Sequence, residues 1–331
     1  MVVNFNKGEL EMTRRLSRLW GWVGVISLTV LLSAGPAAAG GIINKGNQSA
    51  DYMRTLNRNA ATDYADIAVY NPAGTAQMED GLYSKLDVMY YGKDYYNDVP
   101  GFGKLEQDEP SLIPAFFTVY KKNKWSGFFA FTIPAGGGEL NWEDGNARTV
   151  ALASGVAANA NAQLAAGGVP DMFLYDQIDP GQLEVKQSSV LGFTLGAAYA
   201  INDMWSVSLG TRFSTGTREF DGSAAISATN ALPGGLNAPL TPSLNIEEDA
   251  SGWAGIVGVN FKPTDKLNTA FTFISNTKME YDMTVNRDTL GIAPALGFAD
   301  GSKRRIDIPG QLGFGASYRF LPELKVDLNY T

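Results

Sequence analysis

The chain of 331 residues contains no cysteine and no histidine. The first absence excludes disulfides, thiolate nucleophiles and cysteine-ligated metals. The second removes the usual general base of serine and cysteine hydrolases and the commonest transition-metal ligand. Charge is scarce as well: Asp, Glu, Lys and Arg make up 18% of the residues against 45% hydrophobic ones, where an ordinary soluble domain carries roughly a quarter charged. One long apolar run exists, the 14 residues from Leu19 to Leu32, and it falls short of the roughly 20 that a spanning helix needs. Common enzyme classes and helical membrane proteins are therefore disfavoured together. The chain is expected to be no enzyme and to hold no metal or cofactor.

The apolar run has a different reading. Arg14, Arg15 and Arg18 precede it and Ala37-Ala38-Ala39 follow it, the pattern of an export signal cut before Gly40. Residues 1–11 do not look like the start of such a signal, so Met12 is the expected first residue and 1–39 the signal peptide. Its removal takes four basic and two acidic residues and leaves a net charge of −10, a poor balance for binding nucleic acid.

From Gly81 onward the dominant period is two. Trp205, Val207, Leu209 and Phe213 alternate with Ser206, Ser208, Gly210, Arg212 and Ser214. Leu191, Phe193, Leu195 and Tyr199 oppose Gly192, Thr194, Gly196 and Ala198, and Leu312, Phe314, Ala316, Tyr318 and Phe320 oppose Gln311, Gly313, Gly315, Ser317 and Arg319. A soluble sandwich gives the same alternation. The connections discriminate: YKKNKW, YAINDMW, FKPTDKL and RFLPELK are tight, whereas 97–108, 136–181, 228–243 and 286–303 are long. Short turns at one end and long loops at the other are the pattern of an outer-membrane barrel, whose sheet must close because lipid leaves no partner for an unpaired backbone group. Tyr120, Trp125, Tyr199, Trp205, Phe261, Tyr318 and Phe320 flank the short turns as an interfacial girdle. Lumenal glycines such as Gly192, Gly196, Gly210, Gly313 and Gly315 are expected to leave room inside. Candidate strands start near Gly81, Pro110, Lys124, Leu183, Met204, Asn245, Leu267, Arg304 and Glu323, nine in all. Bacterial single-chain barrels use an even number, and the last alternation is still running at Thr331. The expectation is an all-β transmembrane antiparallel barrel that is C-terminally truncated; an eight-stranded barrel with a loose tail is the alternative.

The segment 40–79 precedes the first strand, lacks clean alternation and reads as a plug for the lumen. It ends on AVYNPAGTAQ, an uncharged, turn-rich stretch with Asn71, Pro72, Ala73 and Gly74 at its centre. An export signal, a plug of this size ending in Asn-Pro-Ala and a barrel after it resemble the FadL family of outer-membrane long-chain fatty acid and hydrocarbon transporters. The stretch from Ile308 to Thr331 also looks like a late strand pair of that family. The resemblance implies about fourteen strands, of which about nine are present here, 80–331 forming the barrel. It also implies an N-terminal hatch gated at Asn71–Gly74, a kinked strand that opens the wall, and passive diffusion of a hydrophobic ligand once the hatch moves. In this chain Pro134, Gly136, Gly137 and Gly138 are the candidate kink, since proline removes a ladder donor and glycine permits a bulge; a simple strand end is the other reading.

Within 136–181, Val150, Ala153, Ala157, Ala160 and Leu164 fall on one face of a helix that Gly167-Gly168 and Pro170 would stop. Leu152, Val156, Leu164, Met172, Phe173 and Leu174 are candidate ligand contacts in an outer apolar groove, with packing on a neighbouring loop as the alternative. Alternate counting from Ser206 puts Arg212 and Arg218 in the lumen, where either would hold a carboxylate or pair with a barrel or hatch acid. GFGK at Gly101–Lys104 lacks the setting of a phosphate loop. The expected partners are a hydrophobic small molecule and outer-membrane lipid, the expected state is a monomer, and a diffusion porin or a structural or adhesive barrel is the rival function.

Overall fold

The computed structural model describes residues 46–331 apart from Gly137; the export signal and Met12 lie outside the described residues. Two short helices, α1 (Ala50–Thr55) and α2 (Ile67–Tyr70), and a 3-10 turn (Pro72–Gln77) precede strand β1 (Gly81–Tyr91). There follow β2 (Tyr95–Val99), β3 (Gly103–Gln107), β4 (Ser111–Lys122), β5 (Trp125–Gly136), β6 (Leu140–Trp142), helix α3 (Ala147–Ala166), β7 (Gln177–Ala200) and β8 (Trp205–Ser227). The rest is β9 (Ser243–Thr264), β10 (Leu267–Ile274), β11 (Glu280–Asp288), β12 (Lys303–Arg305), β13 (Gln311–Leu321) and β14 (Leu324–Tyr330).

Nine of these strands form one antiparallel wall in the order β1-β4-β5-β7-β8-β9-β10-β13-β14. Of the remaining strands, β2, β3 and β6 fall in or beside regions that read as loops in the sequence. β2 and β3 make a separate hairpin inside 97–108 and its flank, so GFGK is part of a turn and strand. β6 adds to β7, β11 to β9 and β12 to β11 at the outer end, beyond breaks in the wall strands. Two boundaries shift accordingly: β7 starts at Gln177, well before Leu183, and the eighth wall strand starts at Gln311 because Arg304 belongs to the short outer strand β12.

The direction of the apolar face excludes a soluble sandwich. Leu82, Leu86, Leu112, Leu195, Leu209, Trp253 and Leu328 are exposed, whereas Ser126, Thr194, Ser206, Arg212 and Asn260, on the opposite face, are buried. A sheet that hides its polar side and displays its leucines suits lipid outside and a polar lumen inside. The wall strands β7, β8 and β9 are 24, 23 and 22 residues long, about twice the 9–11 that cross a bilayer. Their outward residues change character along the way. Near the short turns they are Phe193, Leu195, Val207, Leu209 and Val257; further out, on the same face, they are Glu184, Glu219, Asp221, Glu247 and Asp249. The bilayer therefore meets the turn-proximal half. There the girdle aromatics pair across strands, Trp125 with Tyr199 at 4.6 Å and Trp205 with Phe261 at 4.1 Å between ring centroids.

The N-terminal segment packs on the lumenal face, with Ala61, Ala65, Ile67 and Ala68 against Phe117, Val119, Phe128 and Ala130 of the wall. Its own fold centres on a buried ion pair. Arg58 Nε and Nη2 donate to both oxygens of Asp66 at 2.9 and 2.6 Å, Nη2 and Nη1 donate to Asp63 at 2.7 and 3.3 Å, and Ser49 Oγ donates to Asp66 at 2.7 Å. Burial alone would lower the Arg58 pKa, but the bonds to Asp66 and Asp63 outweigh it and hold the guanidinium above its ordinary value. Arg58→Ala would strand the Asp66 carboxylate, and breaking such a pair costs about 3–5 kcal/mol. The expected result is an N-terminal segment that proteases cut in the folded protein, whereas Lys104→Ala, which breaks the exposed pair with Glu106, should leave the urea midpoint at its wild-type value. Limited proteolysis and urea titration of both variants check this.

Candidate functional site

The stretch around Asn71 is built to dock. Asn71 is fully buried and caps the 3-10 turn, its Oδ1 accepting from Gly74 N at 3.1 Å. Its Nδ2 donates to Ala61 O at 2.8 Å within the hatch and to Asn260 Oδ1 of β9 at 2.9 Å. Pro72 opens the turn, where a missing N–H is harmless. Gly74 is required because a Cβ there would lie 2.3 Å from Asn71 Nδ2. Wall side chains then hold the backbone: Ser206 Oγ donates to Ala73 O at 2.7 Å, Thr272 Oγ1 to Tyr70 O at 3.1 Å and Asn268 Nδ2 to Ala60 O at 2.8 Å, and Thr75 Oγ1 shares a bond with Ser126 Oγ at 2.6 Å. Each of these bonds joins neutral groups. A second, ionic attachment links α1 to β1 through Asp51 and Lys85.

The lumenal glycines are filled. A Cβ on Gly258 would meet Pro72 Cγ at 3.4 Å and Ala73 Cβ at 3.5 Å, and one on Gly315 would stand 2.5 Å from Ala60 N. Gly313 faces Asn59, while Gly196 and Gly210 lie under the ring of Phe128 and Gly192 under Pro134 and Arg212. The expectation that these positions leave open room is corrected: the hatch and neighbouring wall side chains occupy it. Gly315→Val should therefore unseat the hatch through a backbone collision at Ala60 while the strand ladder persists. Heat-modifiable migration should be retained and protease access between residues 46 and 79 gained; continued protection of that segment would refute the fit.

The wall is interrupted near the candidate kink. β1 and β4 stay paired as far as Tyr91 opposite Ser111, but the β4–β5 ladder stops at Phe116 opposite Phe131. Past that point β5 remains on β7, with a register shift between Thr132 and Ala135 around Pro134. Gly136 has φ +109°, and a Cβ on it would fall 2.2 Å from Ser188 O; Gly138 has φ +75° and lies against Ser111. Gly137 is outside the described residues. A cavity of about 710 Å³ occupies the gap. Leu112, Leu191 and Thr215 line it from the lipid-facing set, and Ser111 and Ile113 from the lumenal set of β4.

The remaining sequence candidates separate. Helix α3 is capped by Asn146 and ends at Gly167, and Ala153, Ala157, Val156, Ala160 and Leu164 pack on Tyr175, Ile178, Ala224, Ile226 and Leu240. That face, including Val156 and Leu164, is taken up by packing. Leu152 is half-buried outside this cluster, Met172 is exposed, Phe173 and Leu174 are half-buried, and none of the six lines either cavity described. Unbroken β8–β9 pairing puts Arg212 opposite Ala254 and Arg218 opposite Glu248 on the lumenal face. Arg218 is engaged: its guanidinium lies 4.4 Å over the Tyr281 ring and 3.7 Å from Glu248, which Arg304 also holds at 2.7 Å. Glu248, Tyr281 and Arg304 went unnoticed in the sequence, as did the hatch receptors Asn260, Asn268, Ser126 and Ser206. Their only local signal is a polar residue on the lumenal parity.

Comparison with known proteins gives this geometry its setting. Residues 174–331 match the family model described as outer membrane protein transport protein (OMPP1/FadL/TodX). No curated protein matches the chain by sequence. Among solved structures, it is similar to the Ralstonia pickettii toluene transporter TbuX, at 13% identity over 80% of this chain and 66% of that one, with TM-score 0.50. It is also similar to a Pseudomonas aeruginosa FadL homologue, at 15% identity over 81% and 64% with TM-score 0.48, and to the Pseudomonas putida toluene transporter TodX, at 13% over 82% and 66% with TM-score 0.47. The chain spans 64–66% of the length of these structures. The likeness to TbuX carries the fold, and over residues 174–331 the chain matches the FadL-type family of outer-membrane transport proteins.

Proposed function

We propose that the protein is a channel for uptake of hydrophobic compounds, long-chain fatty acids or hydrocarbons, across the outer membrane. Ligand passes from the lipid side through the gap between β4 and β5 into the lumen, and displacement of the hatch at Asn71–Gly74 lets it diffuse onward. The observation that carries this reading is the β4–β5 ladder, which ends at Phe116–Phe131 while both flanking ladders continue. In lipid, unpaired backbone is tolerated only where it is buried in protein or lines a cavity, and the cavity of about 710 Å³ lies at that place. A diffusion porin has no use for such a gap, and the signal peptide over 1–39 and the monomeric state are part of the same proposal.

Uptake by liposomes carrying the full-length protein tests it. Oleate and toluene should accumulate and a sugar should not; accumulation of the sugar alone would favour a porin. Thr215→Trp places an indole in the gap and should slow uptake of both hydrophobic probes by about tenfold, the effect of roughly 1.4 kcal/mol. Replacing Asn71 and Pro72 by Ala removes the cap and the bond to Asn260, about 1–3 kcal/mol of docking. Hatch displacement should then become easier and uptake several-fold faster, with barrel assembly unchanged. Uptake identical to wild type would reduce this stretch to an ordinary turn.

A further inference from the structure

The cavity at the gap has an outer rim that a purely apolar passage would not need. Ser111, the first residue of β4, pairs with Tyr91 of β1 on one flank and faces the gap on the other, where the ladder to β5 has ended. Its side chain lines the cavity, yet Ser111 is 8% exposed and its Oγ has no hydrogen-bond partner. Gly138 makes room for that hydroxyl: a Cβ there would stand 2.2 Å from Ser111 Oγ and 3.5 Å from Lys93 Nζ. A buried donor left without a partner is destabilising, so the rim carries a polar group that packing alone does not explain.

The rest of the rim supplies acceptors. Glu109 and Glu139 line the same cavity, the first half-buried and the second exposed. Glu109 N donates to Gln107 Oε1 at 3.2 Å, which holds the turn just before Ser111. Lys93 stands behind them, buried, with its ammonium donating to Glu139 O. Burial pulls the Lys93 pKa down, and the charges of Glu109 and Glu139 oppose that pull. One ammonium against two carboxylates leaves these three groups with a net negative charge, and no Lys or Arg is among the described residues that line the cavity.

We infer that this rim is a subsite for the hydroxyl of a neutral hydrophobic compound, an alcohol or a phenol, with Ser111 Oγ as donor and the Glu109 carboxylate as acceptor. The inference deepens the transport reading and rests on it. A hydroxyl both donates and accepts, so it meets both groups at once. A hydrocarbon does neither and leaves Ser111 unsatisfied, while a carboxylate, which only accepts, comes up against Glu109 and Glu139. A site that hydrogen-bonds a hydroxyl discriminates against the analogue lacking it, because its own polar groups are then stranded. The apolar body of the ligand lies on Leu112 and Leu191, which line the same cavity.

The test is equilibrium dialysis of phenol, toluene and benzoate against the full-length protein in non-ionic detergent, corrected for protein-free micelles, followed by liposome uptake of the same three probes. Ser111→Ala keeps Cβ and removes only the hydroxyl. It should lower the ratio of phenol to toluene affinity by about threefold to tenfold, the worth of one hydrogen bond. Glu109→Gln keeps the shape of the side chain and removes its charge, and it should raise the ratio of benzoate to toluene affinity by about threefold. This second variant carries the test if Ser111→Ala does not assemble as a heat-modifiable barrel. An unchanged phenol-to-toluene ratio in Ser111→Ala, an unchanged benzoate-to-toluene ratio in Glu109→Gln, or wild-type protein that binds benzoate more tightly than phenol would each overturn the assignment. If phenol binds through Ser111 but liposomes accumulate none of the probes, the transport reading fails and the subsite stands; if liposomes accumulate phenol and toluene alike with wild type and Ser111→Ala and the binding ratio does not move, the subsite fails and the transport reading stands.

Discussion

Lipid offers no hydrogen-bond partner to a peptide group, so a strand in the bilayer must find its donors and acceptors on its neighbours. That requirement fixes most of what the wall does. It pairs β8 with β9 without a register shift from Trp205 to Ser223, and it makes the connection at one end as short as Asp265 and Lys266 between β9 and β10. It also makes a local failure of pairing meaningful. β5 leaves β4 after Phe131 without leaving β7, and the departure is prepared by Pro134, which has no N–H to lose, and by Gly136 at a positive φ that other residues rarely adopt. The gap is thus placed where the sequence makes it cheapest.

The same requirement turns the polar face inward and creates a second problem, since a polar lumen must either hold water or be filled. Here much of it is filled by the hatch. The contacts that retain the hatch are hydroxyls and amides: Ser206, Thr272, Asn260, Asn268 and Thr75 with Ser126. Each such bond contributes about 1 kcal/mol net, enough together to keep the hatch seated and individually weak enough to be exchanged for water. The strong charge pair, Arg58 with Asp66, lies within the N-terminal segment and holds it together independently of those contacts, so strength is concentrated inside the segment and modest at its rim.

Much of the wall was legible from the chain alone, because a period of two and the alternation of short and long connections are local properties. Seven of the nine starts, the aromatic girdle and the end of α3 at Gly167 rest on neighbours in sequence. What was not legible depends on distant pairs. Gly196 looks like empty space until Phe128 is laid over it, and Gly315 until Ala60 is. Glu248 sits in an acidic run, Glu247-Glu248-Asp249, and nothing local says that the middle member turns inward to meet Arg218 and Arg304 while its neighbours face out. The outer strands β11 and β12 are also invisible locally, since the breaks at 275–279 and 306–310 are defined by pairing across the sheet. The apolar face of α3 was visible as a face, but the strand ends that cover it were not.

Charge is distributed along the lumen in a way that ties these elements together. Outermost, Arg218 and Arg304 share Glu248, with Tyr281 under the guanidinium of Arg218, so this level is compensated. Next comes an apolar layer of Ala135, Val190, Ala250, Met279, Tyr281 and Ile308. Below it Arg212 has no carboxylate partner among the described residues, and below Arg212 the N-terminal segment presents neutral groups. The break in the wall, the apolar layer beside it, the arginine under that layer and the floor of neutral contacts thus follow one another along the lumenal face.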